Sequence, residues 1–340
     1  MKIKNIFLII VGLFVFSSLF YKETEFKKYK KIDNDNSVHV QKVNLVNYMN
    51  KEINDLEVLN RTKKQVIPWG VDSLGVEKFR DDPKPKKKIK VAILDSGIDK
   101  KHEDIVGKVV KEWNAILPGE PVIDDYEDGH GTAIAGIIAA SNNDVGIVGI
   151  NPNVDLYSVK ILDSKGNGNV ESFIKGIEWC IKEKVQIINM SFGMRSNNAK
   201  LYEAVEKAID SGIVIVASSG NNFGKTVDYP AGYEGVISVT AVNQNYKVGH
   251  FSAKGKVDFS APGVSILSTA KNGKYSIHNG TSLATAYVTG VVSLLLENRE
   301  RFGVDTEGIE LQKTIVNVLK KYSISLGDKT YFGNGFIKIS

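Results

Sequence analysis

The chain has 340 residues, of which 42% are hydrophobic and 24% charged, and this composition predicts a sizeable folded core in one large domain or two small ones. The net charge of +5 comes largely from lysines at 26–31 and 84–88. Since no basic helix carries interleaved aromatic residues, we expect no nucleic-acid partner. The only cysteine, Cys180, excludes an internal disulfide, and its helical surroundings predict a buried core thiol.

The N-terminus has the pattern of an export signal. Lysines within MKIKN precede an apolar run at 6–21, which is slightly shorter than the roughly 20 residues that a membrane-spanning helix needs. Because bulky Phe20 and Tyr21 make a poor cleavage site, an uncleaved membrane anchor is the alternative to a signal peptide. We assign residues 1–22 to this signal peptide or anchor, and expect the body of the protein to be secreted or anchored on the outer face of the cell membrane.

A polar segment rich in Lys, Asn and Glu follows at 23–64, and we assign it to a short pro-segment or linker. Within it, residues 43–59 have the pattern of a modest amphipathic helix. The composition changes at about residue 65, where apolar, β-rich runs begin. We therefore assign residues 65–340 to one catalytic domain.

Strand and helix patterns alternate along this domain. Apolar or β-rich runs predict strands at 89–94, 154–162, 185–192, 212–220 and 235–242, and helical patterns occur at 133–140, 171–183 and 198–210. The alternation predicts an α/β protein with three layers, in which a mostly parallel central sheet carries helices on both faces. Ligands of such folds bind at the carboxyl ends of the strands.

Polar residues suited to nucleophilic catalysis occur at the ends of these elements. Asp95 follows the first strand, and His130 lies between two glycines before a helix. Asn221 follows VASSG, and Ser282 begins an apolar helix. Each alone has an ordinary explanation as a turn former or helix cap. Together they supply a nucleophile, a base, an acid that orients the base, and a donor for an oxyanion.

Four short motifs contain these residues: DSGID at 95–99, HGT at 130–132, SSGN at 218–221 and GTSLA at 280–284. In this order they resemble the motifs of the subtilisin-type serine proteases, over roughly residues 65–338. The resemblance implies a subtilisin-like fold, with Ser282 as nucleophile and His130 as general base and then acid. It also implies that Asp95 orients His130, and that Asn221 and the backbone N–H of Ser282 bind the oxyanion.

Three positions depart from the family pattern near the nucleophile. The family usually has Met, Pro and His where this chain has Leu283, Ala286 and Tyr287. None of these changes removes a catalytic group, so we expect activity.

The resemblance also implies a calcium site, because SNNDVGIVG at 141–149 resembles the calcium loop of the family. The implied ligands are the side chains of Gln65, Asp104 and Asn143 and the carbonyls of Ser141, Val145 and Ile147. Calcium takes six to eight oxygen ligands, which this set can supply. The alternative is a Gly/Asn-rich surface turn that binds no ion.

The substrate pocket of the family is walled by two segments. Here they are Ser191, Phe192 and Gly193, and Ala217, Ser218, Ser219 and Gly220. The residue before a Tyr-Pro pair forms its floor, which is Asp228 in this chain. Since a buried carboxylate requires a cation, we predict a preference for Arg or Lys before the scissile bond. The alternatives are that Asp228 faces solvent or pairs with Lys225. We also expect a cis Tyr229–Pro230 bond.

These features predict an exported, monomeric serine endopeptidase, made as a zymogen, that acts on peptides or proteins. Maturation is expected within 60–65, after Arg61, Lys63 or Lys64. A short pro-segment, a possible anchor and a selective pocket resemble those of proteases that remove leader peptides, which favours a processing protease. The alternatives are a broad-specificity degradative protease and, more remotely, an inactive peptide-binding homologue. His39, His102, His250 and His278 lack zinc-site spacing, which argues against a metal hydrolase.

Overall fold

The computed structural model describes residues 52–62, 64–80, 87–126 and 129–339. The predicted signal peptide or anchor lies outside these residues, as do 23–51 of the predicted pro-segment. The helix expected at 43–59 lies only partly within the described residues. Its described part is helical, since residues 52–62 form helix α1. No helix in these described ranges is both long and apolar enough to cross a bilayer.

The strands are short and mostly buried. They are β1 (Ile89–Asp95), β2 (Val109–Asn114), β3 (Val154–Lys160), β4 (Ile187–Met190), β5 (Val214–Ser218), β6 (Ile237–Val242), β7 (Phe259–Pro262), β8 (Ile266–Ala270), β9 (Lys274–His278), β10 (Ser323–Ile324) and β11 (Phe336–Ile337). Nine of the strands in the described residues form one sheet in the order β10-β11-β7-β6-β5-β4-β1-β3-β2. Strands β8 and β9 form a separate hairpin. All neighbours in the large sheet are parallel except β10 and β11.

The helices after α1 are α2 (Trp69–Ser73), α3 (Glu77–Arg80), α4 (His130–Ala139), α5 (Val170–Glu183), α6 (Ala199–Asp210), α7 (Thr281–Glu297), α8 (Arg299–Phe302), α9 (Glu310–Lys321) and α10 (Lys329–Phe332). Asn side chains cap two of them: Asn169 accepts a hydrogen bond from Ser172 N at the start of α5, and Asn198 accepts one from Leu201 N in α6. These caps place both helices where the sequence predicts them.

The helices cover both faces of the sheet, so the predicted three-layer α/β fold is confirmed. Alternate residues of β1 show the division, because Val91 and Ile93 pack in the core with α4, α7 and α9, whereas Ala92 and Leu94 pack in the core with α5 and α6. Cys180 is fully buried in the second core, as expected. Helix α7 is buried from Thr281 to Leu296, which explains its nearly continuous apolar sequence.

Parallel pairing brings the carboxyl ends of β1, β4 and β5 to one edge of the sheet. Leu94 pairs with Met190, and Met190 with Ala217, so the residues that follow these strands are neighbours. Asp95, the 191–193 segment and the 219–221 segment therefore meet at this edge.

Candidate active site

Asp95 and His130 are in hydrogen-bond contact, as the sequence predicts. His130 Nδ1 donates to Asp95 Oδ1 at 2.8 Å and lies 3.0 Å from Oδ2. The Asp95 side chain is 1% exposed and the imidazole 24% exposed. The carboxylate is therefore enclosed, while part of the imidazole ring faces the cleft.

Two glycines allow this contact. Gly129 precedes α4 with a left-handed φ of 67°, which turns the chain into the helix at His130. A Cβ atom on Gly131 would lie 2.0 Å from the carbonyl oxygen of Gly97. Only glycine at position 131 lets the start of α4 approach the loop after β1 this closely.

Ser282 lies in the first turn of α7 and is 6% exposed. Its Oγ donates to the carbonyl oxygen of Ser191 at 3.0 Å. A hydroxyl carries one hydrogen, which rotates between the acceptors around it. In this structure the hydrogen bond holds Ser282 Oγ beside the segment that follows β4.

The amide of Asn221 is oriented by Thr281. Its Oδ1 accepts from Thr281 N at 3.1 Å and from Thr281 Oγ1 at 3.0 Å. A Cβ atom placed on Gly280 would lie 3.5 Å from Asn221 Nδ2 and 3.8 Å from Ser282 N. The two nitrogens therefore lie near one another, as the binding of one oxyanion by both would require.

Residues 86–335 match the model of the subtilase family. The chain belongs to the subtilase family. It is 38% identical over 282 residues to subtilisin amylosacchariticus from Bacillus subtilis subsp. amylosacchariticus, covering 81% of this chain and 71% of the relative. It is 37% identical over 282 residues to a subtilisin from Bacillus pumilus, covering 81% of this chain and 98% of the relative. It is 36% identical over 277 residues to alkaline elastase YaB from Bacillus sp. (strain YaB), covering 81% of this chain and 70% of the relative. The protein is therefore a serine endopeptidase, which acts on peptides or proteins.

A second buried carboxylate supports Asp95 in this subtilase, and the sequence analysis missed it. Ser96 Oγ donates to Asp124 Oδ1 at 2.8 Å and lies 3.2 Å from Asp95 Oδ1, and the Thr132 hydroxyl donates to Asp124 Oδ2 at 2.6 Å. Burial raises the pKa of Asp124, which its hydrogen bonds with Thr132 and Ser96 oppose. No motif includes Asp124, because it lies in a loop with few structural signals.

Lys160 is a further residue beneath the site. It pairs with Asp95 in the register of β3 and β1, and its side chain is 8% exposed. Its Nζ donates to the carbonyl of Ser96 at 2.7 Å and to Asp125 Oδ1 at 2.6 Å. The ammonium group therefore ties the loop that follows β1 to the loop that contains Asp124. A lone Lys at a strand end gives no sequence signal for this role.

A cleft of about 590 Å³ runs beside His130 in this subtilase. It is lined by Tyr126, His130, Leu162, Phe173, residues 166–170 and Ser191 to Met194. The three residues predicted for the first wall, Ser191, Phe192 and Gly193, therefore line a cavity. Phe192 is 7% exposed and its ring centroid lies 4.2 Å from that of Phe173, so the two rings pack together in the lining of the cleft.

The second predicted wall lies at the end of β5, where Ala217, Ser218 and Ser219 are buried. The lining given above for the cleft beside His130 does not include residues 217–220. Asp228 lies between the two walls. A Cβ atom on Gly220 would lie 2.3 Å from Asp228 Oδ2, and one on Gly193 would lie 3.2 Å from the same oxygen.

The Asp228 carboxylate is half-buried, and its Oδ1 accepts from Asn222 Nδ2 at 3.2 Å. Within the described ranges Asp228 forms no ion pair with Lys225, so the proposed alternative pairing is not seen. The Tyr229–Pro230 bond is cis, as predicted.

The predicted calcium loop forms a cage of carbonyl oxygens around the side chain of Gln65. Gln65 Nε2 donates to the carbonyls of Ser141, Val145 and Ile147 at 2.8, 3.0 and 3.3 Å. The assignment of N and O within this amide is interchangeable, so rotation of the amide by half a turn places a fourth oxygen at the centre. Asn143, the remaining predicted ligand of this loop, is exposed.

Asp104 lies fully buried beside this cage. Its Oδ2 accepts from Ile147 N at 3.0 Å. Among the residues that the structure describes, its Oδ1 has no well-aligned hydrogen-bond partner, although the Tyr275 hydroxyl lies beside the carboxylate. Burial raises the pKa of Asp104 to about 6. A buried carboxylate next to converging carbonyls has the donor chemistry of a hard-cation site.

The three departures from the family pattern are all buried in α7. Leu283 is 2% exposed, and Ala286 and Tyr287 are completely covered. Leu283 and Ala286 pack in the core on the face of the sheet that α4 and α9 cover, which agrees with their apolar character. Tyr287 brings a hydroxyl into this core.

Proposed function

We propose that Ser282, His130 and Asp95 form the catalytic triad of this serine endopeptidase. The contact between Asp95 and His130 Nδ1 supports this most directly, because it fixes the tautomer in which Nε2 carries no hydrogen and can accept a proton. Ser282 Oγ attacks the carbonyl carbon of the scissile bond while His130 Nε2 takes its proton. The resulting imidazolium is stabilised by the carboxylate of Asp95.

The negative oxygen of the tetrahedral intermediate is bound by Asn221 Nδ2 and the N–H of Ser282, whose nitrogens lie near one another in the structure. Collapse of the intermediate breaks the C–N bond, and His130 gives its proton to the leaving amine. Water then attacks the acyl group on Ser282 with His130 again as base, and release of the carboxylate product restores the hydroxyl.

An activity-based label tests these roles. A fluorophosphonate probe should label the active protein at Ser282, and Ser282→Ala should lose both labelling and peptidase activity. Ser211→Ala is the matched control, because Ser211 is an exposed serine at the end of α6. Labelling that survives Ser282→Ala would assign the nucleophile to another residue and would also refute this triad.

We infer that the pocket prefers Arg or Lys before the scissile bond. The position of Asp228 between Gly193 and Gly220 supports this, because an ammonium or guanidinium group that reaches the floor would meet a half-buried negative charge. Such a restriction fits a protease that processes a defined precursor. Unlike a processing enzyme, a degradative protease of broad specificity would cut after many residue types.

Cut sites in a complex peptide library, read by mass spectrometry, distinguish the two roles. We expect Arg or Lys before most cuts in the library, and few cuts in casein after other residue types. Many casein cuts after Leu or Phe would favour the degradative role, while leaving the triad intact.

We further propose a structural calcium ion held by Gln65, Asp104 and the carbonyls of Ser141, Val145 and Ile147, to which exposed Asn143 adds a ligand by reorientation. The converging carbonyls and the buried Asp104 carboxylate fit this ion. Bound calcium would supply a positive charge that compensates Asp104 and stabilises the loop. Addition of calcium to chelated protein should raise Tm, and an unchanged Tm would refute the site.

We propose that the protease is exported through its N-terminal segment and acts outside the cytoplasm as a monomer. The apolar run at 6–21 supports export, and the choice between secretion and anchoring follows from whether this run is cleaved. N-terminal sequencing of the protein from culture medium and from the membrane fraction tests the choice, and sedimentation tests the monomer. Activity confined to the cytoplasm would contradict export.

A further inference from the structure

Helix α1 packs against the catalytic domain, although the sequence assigns it to the pro-segment. Its first described residue, Glu52, is 1% exposed, and Glu52 Oε1 accepts a hydrogen bond from the backbone N–H of Trp69 at 3.3 Å. This bond joins α1 to the N-terminus of α2. A carboxylate this deeply buried belongs to an ordered interface rather than to a solvated linker.

The other end of α1 packs in a separate apolar cluster. Leu59 is 1% exposed and packs with Ala140, Ile147, Leu267 and Tyr275, and Leu56 lies at the edge of this cluster. Ile147 also supplies one of the carbonyls around Gln65. The apolar contacts of α1 therefore lie directly behind the proposed calcium loop.

Helix α7, which carries Ser282, also faces this interface. Tyr287 is completely buried, and its hydroxyl fills the space beside Gly70, where a Cβ atom would lie 2.2 Å from the oxygen. The nearby Glu52 carboxylate adds to the effect of burial, which raises the pKa of the Tyr287 hydroxyl. Tyr287, which stands where the family usually has His, thus lies where α1 meets the domain.

From these contacts we propose that α1 is a permanent element of the active protease, seated on the surface formed by Trp69, Tyr287 and the Leu59 cluster. Loss of α1 after a cut at Arg61, Lys63 or Lys64 would expose this apolar surface to water. If the chain is not cut there, the catalytic domain begins before Glu52 rather than at residue 65. If it is cut, α1 stays bound to the domain as a separate peptide.

Mass spectrometry of the active enzyme tests retention. The protein is expressed as the full chain, allowed to mature, and selected by its fluorophosphonate label. Native mass spectra should contain residues 52–62 in every labelled molecule, covalently attached or as a bound peptide, and denaturing spectra distinguish the two forms. Labelled, active enzyme without these residues would overturn the proposal and would leave the triad unaffected.

A matched pair of variants in the full chain tests whether the interface stabilises the mature enzyme. Leu59→Ala removes a 1% exposed side chain, whereas Val58→Ala changes its 40% exposed neighbour on the same helix. After maturation, we expect Leu59→Ala to lower Tm by roughly 5–10 °C and Val58→Ala by less than about 2 °C. If α1 assists only folding and is then discarded, both mature enzymes will have the wild-type Tm, which refutes the proposal. If Leu59→Ala does not fold, Leu59→Met keeps the apolar contact and should restore a stable enzyme, and failure of this rescue also refutes it.

Discussion

The charge of Asp228 can be removed while its shape is kept, which makes Asp228→Asn a direct test of substrate preference. The amide retains an oxygen that can accept from Asn222 Nδ2, the contact now 3.2 Å long. Because Asn has the size of Asp, it also fits between Gly193 and Gly220. The substitution therefore removes the negative charge of the proposed pocket floor and keeps the size of the side chain.

The size of the effect follows from Coulomb's law. Two unit charges about 4 Å apart attract by about 4 kcal/mol at the effective dielectric constant of about 20 that suits sites near a protein surface. Asp228 is half-buried, and we expect dehydration of the substrate cation to offset about half of this attraction. The remainder of about 2 kcal/mol corresponds to roughly a 30-fold loss of kcat/KM for an Arg substrate.

Steady-state kinetics on two peptides that differ only in Arg or Leu before the scissile bond measures this effect. We expect Asp228→Asn to lower kcat/KM about 30-fold for the Arg peptide and less than about threefold for the Leu peptide. Asp210→Asn, which removes an exposed charge at the end of α6, controls for the overall charge of the protein. Equal losses on both peptides would refute the electrostatic reasoning, as would a wild-type preference for Leu.

Three further predictions concern the catalytic geometry and the proposed ion. Asn221→Ala should lower kcat by about 10²–10³-fold with little change in KM, because its amide acts mainly in the transition state; a change in KM alone would contradict this role. Gly131→Ala should lower kcat/KM at least tenfold, since a Cβ atom 2.0 Å from the Gly97 carbonyl displaces His130; wild-type kinetics would show that the close approach is unnecessary. Chelation at pH 8 should lower Tm, measured by calorimetry, and added calcium should restore it. This difference should shrink below pH about 6, because Asp104, with a pKa of about 6 without metal, then retains its proton; a difference independent of pH would exclude Asp104 as a ligand.

The central fold could be predicted because its strands and helices carry unambiguous patterns. The apolar strand at 89–94 and the amphipathic helix at 171–183 are found within one residue of their predicted ends. The two-residue strands β10 and β11 were not predicted, because segments this short have no periodicity. Nor was the β8–β9 hairpin, which stands apart from the main sheet.

Contacts between distant segments were harder to predict. The proximity of Asp95 and His130 followed from their motifs, but the link from Ser96 to Asp124 depends on how a loop folds over the sheet edge. Helix α1 was read as part of a polar segment because few of its side chains, such as Glu52 and Leu59, are buried. The sequence predicted a helix within 43–59, but a pattern so sparse did not predict that this helix packs against the domain.

The position of α7 has a consequence for biosynthesis. This helix lies in the core alongside α4 and the central strands, and it carries Ser282 far along the chain from Asp95. If the proposed triad is correct, a polypeptide emerging from the ribosome holds the acid and the base long before it holds the nucleophile. Proteolytic capability would then arise only when almost the entire domain has been synthesised.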